Sequence, residues 1–232
     1  HDWLLVGPDA GNWATNAQNW IDGQVLDSHR LPIYTVISAW FGGWFGDVVF
    51  GGHMANHIVS LLTCVVAYAI GTTTTNRAVG LGAALLTAWS PELVNNQLLY
   101  GVDPSLQLFV AALCLSTWLA VSKESVWWTI LAGVLVGLLS ATHYLGLLFV
   151  PIPLLLLLVC RGATPNYADP GWKLRAMRSV LLLAVGFVVW KLVTSPWPDL
   201  SLAMVASVFT QGVAGSDGRV VGPAQMEQAT AA

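Results

Sequence analysis

Between residues 51 and 194 the sequence is a succession of apolar stretches separated by short polar turns. The stretches cover 51–71, 78–98, 103–121, 126–142, 145–160 and 180–194. A helix needs about 20 apolar residues to cross a hydrocarbon core of about 30 Å, and most of these come close. In lipid the backbone must satisfy its own hydrogen bonds, so such stretches are helices. Pro91 near the end of the second is tolerated there, because intramembrane neighbours can satisfy the freed carbonyl. Only 9% of the residues are charged, against roughly 25% in a soluble domain. Most of the surface therefore does not face water. The fold predicted is all-α, a polytopic transmembrane helix bundle in a lipid bilayer.

The first 50 residues read differently. Trp13, Ala17, Trp20 and Ile21 repeat at helical spacing with polar residues between them, and Gly23 can end the turn. This is a short amphipathic helix suited to a membrane interface. The apolar stretch 31–44, broken by Gly42 and Gly43, is too short to cross and is expected to lie at the interface as well. The organisation expected is an outer loop with interfacial helices over 1–50, a bundle of about six crossings over 51–196, and an outer segment with a tail over 197–232. The small polar composition after Gln211 predicts disorder. The chain opens on His1 without a signal-like segment, which predicts a fragment or a processed product. Cys64, Cys114 and Cys160 fall within apolar runs, and they read as small buried hydrophobes.

Charge gives the orientation. Arg77, Lys123, Arg161, Lys173, Arg175 and Arg178 fall in alternate connections and make up six of the nine cations. By the positive-inside rule those connections are cytoplasmic. The opposite side carries Asp2, Asp9, Asp22, Asp27, Asp47, Asp103 and Asp199, with Arg30 as its clear cation. A net charge of −3 gives no electrostatic case for nucleic acid.

On the acidic side the chemistry-bearing residues gather. Asp9 precedes the first interfacial helix, Asp103 opens the third crossing, and His143 joins the fourth and fifth. Arg30, His53 and His57 belong to the same side. Carboxylates, imidazoles and a guanidinium together can deprotonate a hydroxyl and hold a phosphate. Simpler accounts exist for each. Asp9 can be an N-cap, and Asp103 with Pro104 can be a cap and first-residue pair. His53 and His57, four apart, have the spacing of metal ligands, but without a third ligand they are also ordinary helix-end histidines. Trp127 and Trp128 fit an aromatic belt, and Lys191 can snorkel from a helix end.

The stretches GPDAGNWATNAQNWIDGQ and HRLPIYTVISAWFGG resemble the first outer loop of the GT-C membrane glycosyltransferases. More narrowly they resemble the branch of the protein O-mannosyltransferases and the lipid A aminoarabinose transferases. The family's acidic residue, aromatic, Ala, Gly and Arg-x-Pro-x-Tyr stretch fall on Asp9, Trp13, Ala17, Gly23, Arg30, Pro32 and Tyr34. Its Ser-Pro and second acidic residue fall on Ser90, Pro91, Tyr100 and Asp103. GVLVGLLSATHYLG, residues 133–146, resembles a later Gly-x-x-x-Gly pattern. The likeness covers about 7–160. Many relatives follow the first Asp with Glu, where this chain has Ala10, and many carry Lys or Arg near the position of His143.

The resemblance implies an integral-membrane enzyme of the plasma or inner membrane. It would move a sugar from a polyprenyl-phosphate donor to an acceptor glycan, lipid or protein on the outer face. Asp9 would be the general base, and Asp103 would position the acceptor or share a divalent metal ion with Asp9. Arg30 and His143 would face the leaving phosphate, with Tyr34 and Tyr100 as further substrate-binding residues. The alternatives are a transporter or a non-catalytic scaffold fragment; a transporter would carry ionisable residues in mid-membrane, and here the charges cluster at segment ends.

Overall fold

The computed structural model describes residues 10–24, 32–160 and 171–195. All of them fall within one unit, His1–Trp197. Among the described residues the regular structure is entirely helical: α1 (Ala10–Ile21), α2 (Pro32–Phe45), α3 (Val48–Thr74), α4 (Arg77–Ala88), α5 (Pro91–Leu98), α6 (Asp103–Ser122), α7 (Val126–Thr142), a 3₁₀ helix (Tyr144–Phe149), α8 (Pro151–Val159) and α9 (Gly171–Thr194). The chain is an all-α helix bundle. Among the described residues three helices are long and apolar enough to cross a membrane, namely α3, α6 and α9.

The two short helices expected at the start are present as α1 and α2. Gly46, at φ +71°, makes the turn from α2 into α3, a backbone conformation glycine adopts without cost. Asp47 then caps α3, its carboxylate accepting from the Val49 and Phe50 N–H groups at 2.8 and 2.9 Å. The paired helices pack backbone to backbone, for a Cβ built on Gly51 would stand 2.4 Å from the Gly42 nitrogen.

Three expected crossings are drawn differently. The segment 78–98 is broken after Ala88 into α4 and α5. Ser90 lies outside the helical region at ψ 122° and its hydroxyl accepts from Leu93 N–H, while Pro91 starts α5. The residue before a proline is pushed out of the α region, and a serine there makes an N-cap. The twelve residues of α4 span only about 18 Å. Segment 145–160 is likewise divided, into the 3₁₀ helix and α8, with Pro151 and Pro153 at the start of the latter. The last helix is longer than expected. It opens at Gly171, so Lys173, Arg175 and Arg178 lie on α9 and not in a loop.

The core is formed by Leu113 and Ala120 of α6, Leu135 and Leu139 of α7, Leu157 of α8 and Leu182 of α9. α7 and α9 run parallel. Gly133 faces the Leu182 carbonyl and Gly137 the Gly186 carbonyl, at 2.8 and 2.6 Å from a built Cβ. The Gly-x-x-x-Gly pair is thus a backbone contact surface, the use small residues find in membrane bundles. α6 and α7 are antiparallel neighbours joined by a tight turn at 123–125, so the start of α6 and the end of α7 share one end of the bundle.

Candidate functional site

The end that holds the start of α6 is built on a run of buried rings. Trp13 of α1 meets Tyr34 of α2 edge-to-face at 5.4 Å, Tyr34 meets Tyr100 at 5.6 Å, and Tyr100 meets His53 of α3 at 5.7 Å. Each such contact adds about 0.5–1.5 kcal/mol beyond area burial. The run ties α1, α2 and α3 to the short segment Leu99–Val102 that leads into α6. Two further contacts fix that segment. Asn56 Nδ2 donates to the Leu99 carbonyl at 2.8 Å, and the Tyr100 hydroxyl donates to the Val48 carbonyl at 3.3 Å. Tyr100 also lies against the bare backbone of Gly52, where a Cβ would stand 2.2 Å from its ring.

Asp103 follows directly. It is the first residue of α6, Pro104 sits in the same turn, and Val102 occupies the cap position without a side-chain hydrogen bond. Asp103 is therefore not the cap that its Asp-Pro sequence suggests. Its carboxylate is exposed and makes no hydrogen bond among the described residues. His143 ends α7 at the same end of the bundle. Its Nδ1 accepts from Leu145 N–H at 3.2 Å, so the neutral ring carries its proton on Nε2. The ring lies against Tyr144, tilted by 34° with centroids 4.1 Å apart.

Tyr34 and Tyr100 lie in the core, not on an open surface, at 0% and 2% exposure. Burial pushes the Tyr100 phenol up to about 12, with the nearby Ser38 hydroxyl opposing the shift and the Asp47 carboxylate adding to it. Burial drives the Tyr34 phenol upward further, and the Tyr100 charge adds to it. Ser38, Asn56 and the Gly101 backbone stand close to the Tyr34 hydroxyl without completing a hydrogen bond to it. The Ser38 hydroxyl, the Asn56 carbonyl and the Ser60 and Ser105 hydroxyls are also buried without partners. Tyr34, Ser38 and Asn56 thus form a buried polar cluster beneath the segment that leads into α6. Sequence reasoning overlooked it, although Asn56 in the middle of an apolar helix was a visible signal.

His53 is buried against Tyr100, whereas His57 is exposed and its Nδ1 lies 2.8 Å from the His53 carbonyl. Among the described residues no three His, Cys, Asp or Glu side chains gather as a metal ion would require. Asp103 offers one carboxylate, and hard divalent cations take six or more oxygens. The described residues do not make up a metal site. Asp9 and Arg30 lie outside the described residues.

A protein-family model described as dolichyl-phosphate-mannose-protein mannosyltransferase matches residues 32–190. The match takes in Tyr34, the Ser90–Pro91 break, Tyr100, Asp103, His143 and the glycines of α7. Neither curated proteins nor solved structures gave a match. With most of its length matched, and with apolar helices able to cross a bilayer, the chain belongs to the dolichyl-phosphate-mannose-protein mannosyltransferase family and is an integral membrane protein.

Proposed function

We propose that this protein is a GT-C glycosyltransferase. It transfers a sugar from a polyprenyl-phosphate donor to an acceptor on the non-cytoplasmic face, and its site lies at the end of the bundle where α6 starts. The observation that carries this reading is the state of Asp103. Its carboxylate is exposed, takes no part in capping and stands on a segment held by Asn56, Gly52 and two buried tyrosines. A residue needed only to start a helix would be using its side chain for that purpose.

In the mechanism the acceptor hydroxyl attacks the anomeric carbon of the donor. The new C–O bond forms as the bond from that carbon to the phosphate oxygen breaks, and the bonding pair leaves with the polyprenyl phosphate. Asp9 takes the acceptor proton, and Asp103 holds the acceptor in line. Arg30 and the His143 Nε2–H face the leaving phosphate. Tyr34 and Tyr100 act from beneath, fixing the segment that presents Asp103. A lipid-linked donor must be met at the membrane surface, which suits a site at the helix ends beside α1 and α2.

The test is transfer by membranes carrying the full chain, with a polyprenyl-phosphate sugar as donor. Asp9→Asn and Asp103→Asn should each lower transfer by roughly 10²–10⁴-fold while the protein still folds, as removal of a general base or its close partner does. Asn is itself a good N-cap, so the substitution spares that simpler role. Near-normal turnover in a folded Asp103→Asn protein defeats the assignment.

A further inference from the structure

We propose that the opposite end of the bundle binds an anionic phospholipid, with one acyl chain in the groove between α6 and α8 and the headgroup phosphate on Arg178. The starting point is Arg178 itself, 7% exposed on the second turn of α9. It donates from Nη2 to the Glu124 carbonyl. Its Nε is buried with no acceptor, and no carboxylate among the described residues pairs with it. A guanidinium has five N–H donors and a full charge. Near a bilayer such a charge is ordinarily matched by an anion. Among the described residues, one peptide carbonyl leaves it unneutralised.

Two further cations stand beside it. Arg175, one turn earlier on α9, donates from Nη1 to the Leu158 carbonyl at 3.3 Å, and Lys123 is exposed at the end of α6. A cavity of about 350 Å³ runs between α6 and α8, walled by apolar residues such as Leu113, Trp118, Phe149, Ile152 and Leu156. It reaches Ser122 and Cys160. Those residues stand two positions from Glu124 and Leu158, whose carbonyls the two arginines hold. The groove therefore ends where the cations begin.

An apolar trough ending beside Arg178 has the outline of a lipid with a negative headgroup. A guanidinium holds a phosphate through two parallel hydrogen bonds, and basic pockets between membrane helices take anionic headgroups in this way. A zwitterionic lipid fills the same trough but brings no net charge for Arg178. Inorganic phosphate supplies the charge but leaves the trough empty. The place is separate from the Asp103 end, about 30 Å away along the 20 residues of α6.

The full chain, stripped of lipid in detergent, is incubated with equal amounts of phosphatidylglycerol and phosphatidylcholine of the same chain length. Bound lipid is then counted by native mass spectrometry. Retention of phosphatidylglycerol over phosphatidylcholine is expected. Arg178→Gln, which keeps a donor toward the Glu124 carbonyl but removes the charge, should reduce that preference about five-fold. Arg178→Lys should keep most of it. Ile152→Trp, which fills the groove and leaves the cations intact, should lower retention of both lipids, and it serves if Arg178→Gln does not fold. Equal retention of the two lipids by the unaltered chain overturns the proposal, as does an undiminished preference in folded Arg178→Gln. Displacement of the lipid by inorganic phosphate, with Ile152→Trp having no effect, reduces the site to an anion site and equally overturns it.

Discussion

Gly52 and Asn56, one turn apart on α3, bear directly on how Asp103 is presented. Gly52→Ala drives a methyl group into the Tyr100 ring. The expected cost is about 1–3 kcal/mol, read as a lowered midpoint of thermal unfolding. Asn56→Leu removes the donor to the Leu99 carbonyl and should cost a similar 1–3 kcal/mol, because the carbonyl is left without its partner. Both should lower transfer along with stability, whereas Asp103→Asn should lower transfer alone. The tyrosines give a test by pH. Tyr100 ionises at about 12 in the folded chain against an ordinary 10.0. A raised phenol means that folding favours the neutral form. That contribution is complete below pH 10 and is lost as pH rises from there through 12. Phenolate absorbance should therefore show part of the five tyrosines titrating only above the ordinary range until the chain unfolds. An ordinary titration of all five in folded protein would show that the buried rings are misassigned. Asp103 was legible in the sequence because a charge at the head of an apolar run has few explanations. Its freedom from capping was not legible, since Asp-Pro is the usual signature of a capped start.

At the scale of elements, α7 is the clearest case of agreement, its ends marked by Ser125 and His143 and its face by the glycines. The α7–α9 contact predicts that Gly137→Leu will separate the two helices. Its side chain has no room against the Gly186 carbonyl and the Val189 side chain. A loss of more than about 1–3 kcal/mol is expected, measured as a shift in detergent-induced unfolding, with Leu138→Ala, on a partly buried position of α7, as the milder control. The broken segments were less legible for a physical reason. A hydropathy window averages over Pro91, Pro151 and Pro153, and membrane helices tolerate proline often enough that none of these is decisive. The start of α9 was hidden for the opposite reason. Lys173, Arg175 and Arg178 look like a loop by charge, yet long cationic side chains can lie along a helix end and reach carbonyls of neighbouring elements, as Arg175 and Arg178 do.

For the whole molecule the distribution of charge predicts which end faces the cytoplasm. In a chain with Cys64, Cys114 and Cys160 changed to Ala, a cysteine at Ser122 should resist a membrane-impermeant thiol reagent added to intact cells. A cysteine at Ser28 should react. The reverse pattern would invert the proposed topology and move Asp103 to the cytoplasmic side. The parallel pairing of α7 with α9 also carries a consequence for how the protein is made. Parallel neighbours cannot be joined by a tight turn, so α8 and residues 161–170 must be synthesised between them. Until Leu182 and Gly186 leave the ribosome, the glycine face of α7 has no native partner. Assembly of this end of the bundle thus waits on a late part of the chain. A polypeptide released before α9 is complete would sit in the bilayer with an adhesive groove open to other nascent helices. Quality-control proteases that survey the membrane would meet that species first.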